Sequence, residues 1–213
     1  MTNRLGAGLL GLLWLAPALA APGADAAAAQ RVEAFLAQLK SLRAEFHQTV
    51  IDTRGRVLER AEGTMTLARP GRFRWDYRVP QQQIISDGAT VWLYDLELEQ
   101  VTVRAASEAL AGTPAMLLAG KGDLKEQFEI TDGGSEEGLD WSRLTPRRTD
   151  GDFREVRLGF AGRDLRRMTF LDRLGQTTAL ELSQLQRNPR FDSSLFKFKV
   201  PPGVDVVGRA PAG

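Results

Sequence analysis

Alternating apolar and polar residues, interrupted at short intervals by glycine-containing turns, constrain the fold of this chain more than any other feature. Residues 72–78 read RFRWDYR, with aromatic side chains at every second position and charged ones between them. Other pairs with this spacing are Val101/Val103, Val156/Leu158, Met168/Phe170, Leu180/Leu182 and Phe196/Phe198. Asp87-Gly88, between two apolar runs, is the strongest hairpin signal. A period of two with tight turns predicts an antiparallel sheet of short strands.

Two stretches of the chain are predicted to be helical instead: one near the start, with one helix, and one between residues 105 and 120, with two. Asp25 is placed to cap a first helix, along which the apolar residues recur at helical spacing. These residues are Val32, Phe35, Leu36, Leu39 and Leu42. Residues 105–111 predict a second, short helix. Thr113-Pro114 predicts the N-cap and first turn of a third helix, which ends near Gly120.

The apolar face of such a sheet needs cover, and these helices are the only cover that the sequence offers. A flat sheet of about ten strands would be too large for them, so the sheet is expected to curl. The predicted fold class is mainly β with α: a curved antiparallel sheet forming an incomplete β-barrel, covered by a lid of short helices. Two interiors fit this pattern. The residues alone favour an ordinary packed core over an apolar cavity with a removable lid.

The first 20 residues have the pattern of a secretory signal peptide. Arg4 precedes an apolar run, and Ala18-Leu19-Ala20 supplies the small residues that a signal peptidase reads. We expect residues 1–20 to be removed and residues 21–213 to form a single domain. Small extracellular scaffolds usually need disulfides, and this chain has no cysteine. A bacterial envelope compartment, the periplasm, is therefore the expected location.

Composition argues against most kinds of chemistry. The lack of cysteine excludes disulfides, thiolate zinc sites, cysteine nucleophiles and an N-terminal lipid anchor attached through cysteine. The one histidine, His47, lies on a predicted strand, where an exposed structural residue is favoured over a catalytic one. A balance of 28 Lys+Arg against 27 Asp+Glu gives no reason to expect nucleic acid as a partner. No catalytic motif is found in the sequence. We expect no enzymatic activity, no cofactor and no metal site.

An ordered set of motifs gives the chain a family resemblance. Residues 69–75 read RPGRFRW, 85–88 read ISDG, 92–95 read WLYD and 202–206 read PGVDV, while Thr113-Pro114 precedes Leu117-Leu118. In this order the motifs resemble the periplasmic outer-membrane lipoprotein carriers, the LolA family, over essentially the whole chain after residue 20. The family fold is an unclosed β-barrel with helices as a lid over an apolar cavity. The resemblance therefore favours the cavity over the plain core.

The resemblance implies a carrier function. Such carriers take triacylated lipoproteins from an ATP-driven, ABC-type exporter in the inner membrane and pass them to a receptor in the outer membrane. At about 0.8 kcal/mol per exposed methylene, one chain of ~16 carbons in water would cost roughly 12 kcal/mol, so the cargo needs a shield. We expect a monomeric chaperone without a stable membrane anchor.

The resemblance also assigns candidate site residues. Arg69 matches the family arginine that holds the lid closed through hydrogen bonds to lid backbone, and Phe73 matches a phenylalanine near the cavity rim. The alternatives are a surface arginine at a strand end and a phenylalanine that only packs. Further candidates for the cavity lining are Trp75, Ile85, Trp92, Leu117, Leu118, Met168 and Phe170. For these residues, core packing and cavity lining are equally compatible with the sequence.

Other functions fit parts of the sequence. The outer-membrane receptor of the same pathway shares the fold but needs a lipidated cysteine, which this chain lacks. A sensor module on the same half-barrel would normally come with another domain. A periplasmic binder of other fatty ligands is the main alternative. The short, Gly/Pro-rich end after Val207 puts in doubt the extra C-terminal strand that some carriers have.

Overall fold

The computed structural model describes residues 23–109, 114–120, 124–148 and 151–209. The predicted signal peptide and Thr113 lie outside these residues. The described helices are α1 (Ala24–Gln38), α2 (Ala106–Ala109), α3 (Pro114–Ala119) and α4 (Leu124–Gln127), with a short 3-10 helix at Ser193–Phe196.

Twelve strands make up the rest of the described fold. Six of them precede α2: β1 (Ser41–Ile51), β2 (Val57–Ala68), β3 (Arg72–Val79), β4 (Gln82–Asp87), β5 (Thr90–Asp95) and β6 (Gln100–Ala105). Six follow α4: β7 (Phe128–Glu136), β8 (Leu139–Pro146), β9 (Phe153–Ala161), β10 (Asp164–Asp172), β11 (Thr177–Arg187) and β12 (Asp205–Gly208). The hairpin predicted at Asp87-Gly88 joins β4 to β5.

All twelve strands belong to one open, curved sheet in the order β12-β6-β5-β4-β3-β2-β1-β11-β10-β9-β8-β7. Neighbours run antiparallel, apart from β12, which lies parallel to β6. Since β1 pairs with both β2 and β11, strands β2–β6 extend to one side of it and β7–β11 to the other, while β12 returns to the edge beside β6. The predicted fold class is confirmed.

The helices cover one side of this sheet, which we call the inner face. Alternation along β3 sends Phe73 and Trp75 to the inner face and Arg74 to the opposite, outer face. Val32 and Phe35 of α1 and Leu118 of α3 join the same buried cluster. The main core therefore lies between the sheet and α1 and α3.

The chain after β11 covers part of the outer face. The 3-10 helix packs beside β3 and β4, and its Phe196 is 2% exposed. The ring of Phe198 lies 6.1 Å from that of Trp92 and 5.7 Å from that of Tyr94. A second, smaller apolar layer thus forms on the outer face of β4, β5 and β6.

Helix α1 differs from the prediction at both ends. Its N-cap is Gly23, and Asp25 lies in the first turn, where its Oδ1 accepts a hydrogen bond of 2.8 Å from the backbone N–H of Asp132. The helix ends at Gln38, Leu39 is extended, and Leu42 is part of β1. Leu42 fits both periods, because it follows Leu39 by three residues and precedes Ala44 by two.

Residues 205–208 form the short strand β12, and the Gly/Pro-rich end that follows lies largely outside the described residues, so the extra strand put in doubt there stays untested. Asp205 and Val206 pair with Gln100 and Val101 at the start of β12. At its other end Gly208 adopts a positive φ, and a Cβ there would lie 2.3 Å from the carbonyl oxygen of Val103. Glycine is thus required at position 208, where β12 closes against β6.

Candidate functional site

Most of the predicted site residues meet on the inner face. Phe73, Trp75, Leu117, Leu118, Met168 and Phe170 are each at most 6% exposed and belong to one apolar cluster. Leu117 and Leu118 come from α3, and the other four come from strands on both sides of β1. Strand and helix side chains therefore form a single apolar body, which α1 and α3 close on one side.

Aromatic rings are concentrated in one part of this body. The Phe46 ring lies 5.9 Å from Trp75 and 5.0 Å from Tyr77, the latter in an edge-to-face arrangement. Gly63 lies opposite Phe46 in the β1–β2 pairing, and a Cβ there would come within 3.0 Å of the Phe46 ring. Sequence reasoning did not select Phe46, although the alternation of Leu42, Ala44 and Phe46 indicates it.

Burial raises the pKa of Tyr77 above its ordinary value, and the negative charge of Glu59 raises it further. A phenol is neutral at physiological pH even at its ordinary pKa, and the raised pKa keeps Tyr77 uncharged in more alkaline solution as well. An uncharged surface of this kind suits hydrocarbon.

Arg69 links the sheet to both covering helices. It lies in the turn between β2 and β3, and its Nη1 donates a hydrogen bond of 2.8 Å to the carbonyl of Leu36 in α1. Its Nη2 donates one of 2.9 Å to the carbonyl of Gly120, just after α3. The Leu36 carbonyl also accepts from the N–H of Leu39 at 3.2 Å, and a guanidinium fork suits its second lone pair together with the Gly120 carbonyl. Arg69 is not a free surface arginine.

The backbone of the same turn adds two further bonds. The N–H of Arg69 donates to the carbonyl of Lys40 at 2.8 Å, and the N–H of Gly71 donates to the carbonyl of Ala119 at 2.9 Å. We call residues 69–71 the latch turn, because their hydrogen bonds reach both α1 and α3.

Two predicted lining residues lie on the other face of the sheet. The register pairs Arg74 with Ile85 and Ile85 with Trp92, which places both on the outer face. Ile85 is fully buried, and Trp92 packs on Phe198, but neither belongs to the inner cluster. Ile84 and Leu93 pack against the inner cluster instead. We therefore leave Ile85 and Trp92 out of the candidate site.

Two polar residues that the sequence did not single out hold this region together. Ser86 is fully buried, and its hydroxyl donates to the carbonyl of Gly71 at 3.0 Å. Asn188, after β11, donates from its side chain to the carbonyl of Gln38 at 2.9 Å and accepts from the N–H of Lys40 at 2.8 Å. Ser86 lies in the ISDG motif, which marked the hairpin but gave its hydroxyl no role, and Asn188 had no distinguishing signal.

The described residues contain no group of three or more acidic, histidine or cysteine side chains that is placed to hold a metal ion. His47 is exposed and lies 3.4 Å from Glu62 on the outer face. Within the described ranges, no helix combines the length and the apolar character needed to cross a membrane.

Comparison with known proteins places the chain in a family. The model of the outer membrane lipoprotein carrier protein family, LolA, matches residues 37–199. The chain belongs to this family. The match runs from the end of α1 through Lys199, and so includes the latch turn and the strands that carry the inner cluster.

Named relatives support this membership. The outer-membrane lipoprotein carrier protein of Dechloromonas aromatica is 44% identical over 87% of this chain and 89% of its own length. That of Methylobacillus flagellatus is 45% identical over 84% of this chain and 88% of its own length. The LolA family consists of carriers, in agreement with the expectation that the chain is not an enzyme.

A solved structure shows the same fold at low sequence identity. An uncharacterized conserved protein from Thermus thermophilus superposes with a TM-score of 0.53 at 16% identity, covering 84% of this chain and 96% of its own. At this identity the likeness concerns the fold alone.

Proposed function

We propose that this member of the LolA family is a periplasmic carrier that holds the acyl chains of lipoproteins between the inner face of its sheet and helices α1 and α3. The observation that carries the proposal is the pairing of a continuous apolar inner face with a latch turn that bonds to both covering helices. The relatives named lipoprotein carriers supply the class of cargo.

The closed form explains how such a carrier survives empty in water. Phe35 and Leu36 of α1 and Leu117 and Leu118 of α3 pack against the strands and keep the inner face dry. When the helices move aside, acyl chains take the place of these side chains on the same surface. Both states bury the inner face, so the difference in free energy between them is small compared with roughly 12 kcal/mol for one exposed chain.

Release follows from the same chemistry. Contacts between methylenes and aromatic or aliphatic side chains have no preferred direction, so no strong polar bond has to break when the cargo leaves. Closure of the latch then competes with the cargo for the inner face. The latch thus favours unloading, whereas a polar clamp on the cargo would oppose it.

The partners follow from the carrier role. We expect an inner-membrane ABC-type exporter to load the protein and an outer-membrane receptor to unload it. The sequence has no phosphate-binding loop, so the exporter's ATP hydrolysis would provide the energy of loading. One protomer holds the complete inner cluster and latch, and we expect a monomer.

Native mass spectrometry of the protein purified from the periplasm tests the proposal. We expect a fraction of the protein to carry a triacylated lipoprotein in one-to-one complexes. A matched sample from cells that export the same cargo without its acylated cysteine should contain the empty protein. Recovery of free fatty acids or phospholipids alone, with lipoprotein absent, would instead make the protein a general binder of fatty ligands.

A further inference from the structure

The contact between α3 and the sheet depends on more than Arg69. The carbonyl of Gly120 accepts from the Arg69 side chain, but the carbonyl of Ala119 accepts from the backbone N–H of Gly71 at 2.9 Å. Ala119 is fully buried, so this second bond is shielded from water. The latch turn therefore holds α3 by one side chain and by its own backbone.

The backbone part of the latch has its own anchor. The Ser86 hydroxyl donates to the carbonyl of Gly71 at 3.0 Å and accepts from the N–H of Gly88 at 3.1 Å. It thus ties the latch turn to the β4–β5 hairpin. Asp87 stiffens this hairpin, because its Oδ1 accepts from the N–H groups of both Ala89 and Thr90.

Glycines bring the two turns together without side chains between them. A Cβ on Gly71 would lie 3.2 Å from the Cα of Gly88, and both glycines have a positive φ. Backbone packed against backbone at this distance offers no interlocking side chains. The β3–β4 ladder begins at the next residue, where Arg72 pairs with Asp87, and the Ser86 hydroxyl extends the polar contact to the Gly71 carbonyl itself.

Helix α1, in contrast, has bonds to the sheet that do not involve the latch turn. Asp25 accepts from Asp132 in β7, the carbonyl of Ala28 accepts from the Ser142 hydroxyl in β8, and the carbonyl of Gln38 accepts from Asn188. Between described residues, the hydrogen bonds that join α3 to the sheet run through the latch turn alone. Release of the latch therefore removes these hydrogen bonds of α3, leaving its apolar packing, while α1 keeps the three bonds named above.

We infer that Ser86 is a positioning residue of the lid: by fixing the carbonyl of Gly71, it holds the Gly71 N–H against Ala119 and so sets how often α3 leaves the sheet. This inference rests on the proposed carrier function, because only a carrier needs a lid that opens. The motion of α3 itself can be measured without cargo. It also gives the ISDG and RPG motifs a joint role, since their turns form the two sides of this contact.

Hydrogen exchange of the purified protein, followed by NMR, tests the inference in Ser86→Ala. We expect the Gly71 amide to exchange about five- to tenfold faster than in the wild type, the effect of losing one neutral hydrogen bond. Amides in β10 and β11 should keep their rates, which separates a local release from a general loss of stability. Uptake of a fluorescent fatty acid should accelerate by a similar factor.

Ser142→Ala is the matched control, because Ser142 is also fully buried and donates to a helix carbonyl, that of Ala28 in α1. It should leave Gly71 exchange unchanged, because its bond lies on α1 and not on the latch turn. If Ser86→Ala does not fold, Ser86→Cys replaces it, because the thiol is close in size to the hydroxyl but a weaker donor. We expect Gly71 exchange in Ser86→Cys to be faster than in the wild type, by less than tenfold.

Unchanged Gly71 exchange in the Ser86 variants would overturn the inference, as would faster exchange without faster uptake. A different result would contradict the proposed function: the wild-type protein accepts no lipoprotein from exporter-containing vesicles. In that event Gly71 exchange still decides whether Ser86 positions the latch.

Discussion

Among single residues, Arg69 has the clearest relation between chemistry and position. Its fork donates to the carbonyl of Leu36 in α1 at 2.8 Å and to that of Gly120, just after α3, at 2.9 Å. A lysine has the charge but not the planar geometry that serves two acceptors at once. These bonds place Arg69 at the junction of the sheet and its covering helices, where the proposed lid would open.

Replacing Arg69 by leucine should shift the lid towards its open form. Two charge-assisted bonds at a half-exposed site are worth about 2 kcal/mol together, which corresponds to a roughly thirtyfold change in the closed-to-open ratio. Since closure competes with cargo, loading should persist while release to an acceptor slows by about that factor. Transfer of a labelled lipoprotein between donor and acceptor vesicles measures this rate.

Arg74→Leu is the control for that experiment. Arg74 lies near the latch turn but pairs with Asp76 at 2.8 Å on the outer face, away from both helices. It should release cargo at the wild-type rate. Equal release by Arg69→Leu and Arg74→Leu would remove Arg69 from the mechanism.

Tyr77 should make the stability of the protein depend on pH in alkaline solution. Burial and the charge of Glu59 raise the pKa of Tyr77, so above pH of about 10 the unfolded chain loses a proton that the native protein keeps. The free energy of unfolding should therefore fall with increasing pH, by up to about 1.4 kcal/mol per pH unit from this group. Urea unfolding of the wild type and Tyr77→Phe between pH 7 and 12 measures the difference, and parallel curves would contradict it.

Among the elements, the alternation of apolar and polar residues determined which strand faces could be predicted from the sequence. In β3, aromatic and charged residues alternate, so its inner and outer faces were unambiguous. In β4 and β5 the runs Ile84-Ile85 and residues 91–94 are apolar on both faces, so period two cannot distinguish them. The outer cover comes from Phe196 and Phe198, about a hundred residues further along the chain.

The C-terminal segment should stabilise the sheet mainly through its phenylalanines. Phe196 is 2% exposed, so Phe196→Ala should lower the free energy of unfolding by about 3–5 kcal/mol. Removing residues 204–213 should cost less, because Val206 and Val207 of β12 are half-exposed. Urea denaturation of both variants measures the two losses in free energy of unfolding. A larger loss from the truncation would assign the stabilisation to β12 instead.

For the whole molecule, the two faces of one sheet are covered in different ways. The inner face meets helices that the latch turn holds by hydrogen bonds, whereas the outer face of β4–β6 is covered by chain that continues directly from β11. The fold class and the position of Arg69 could be read from the sequence and its resemblance. The assignment of Ile85 and Trp92 could not, because it depends on which distant segment covers each face.

Site-specific photocross-linking on β5 tests most directly where the acyl chains lie. A photoreactive phenylalanine analogue replaces either Leu93, which packs against the inner cluster, or its neighbour Trp92 on the outer face. After loading with a lipoprotein whose acyl chains are radiolabelled, position 93 should cross-link to the chains and position 92 should not. Cross-linking from position 92 at an equal or greater yield would contradict an acyl-chain site beneath the helices.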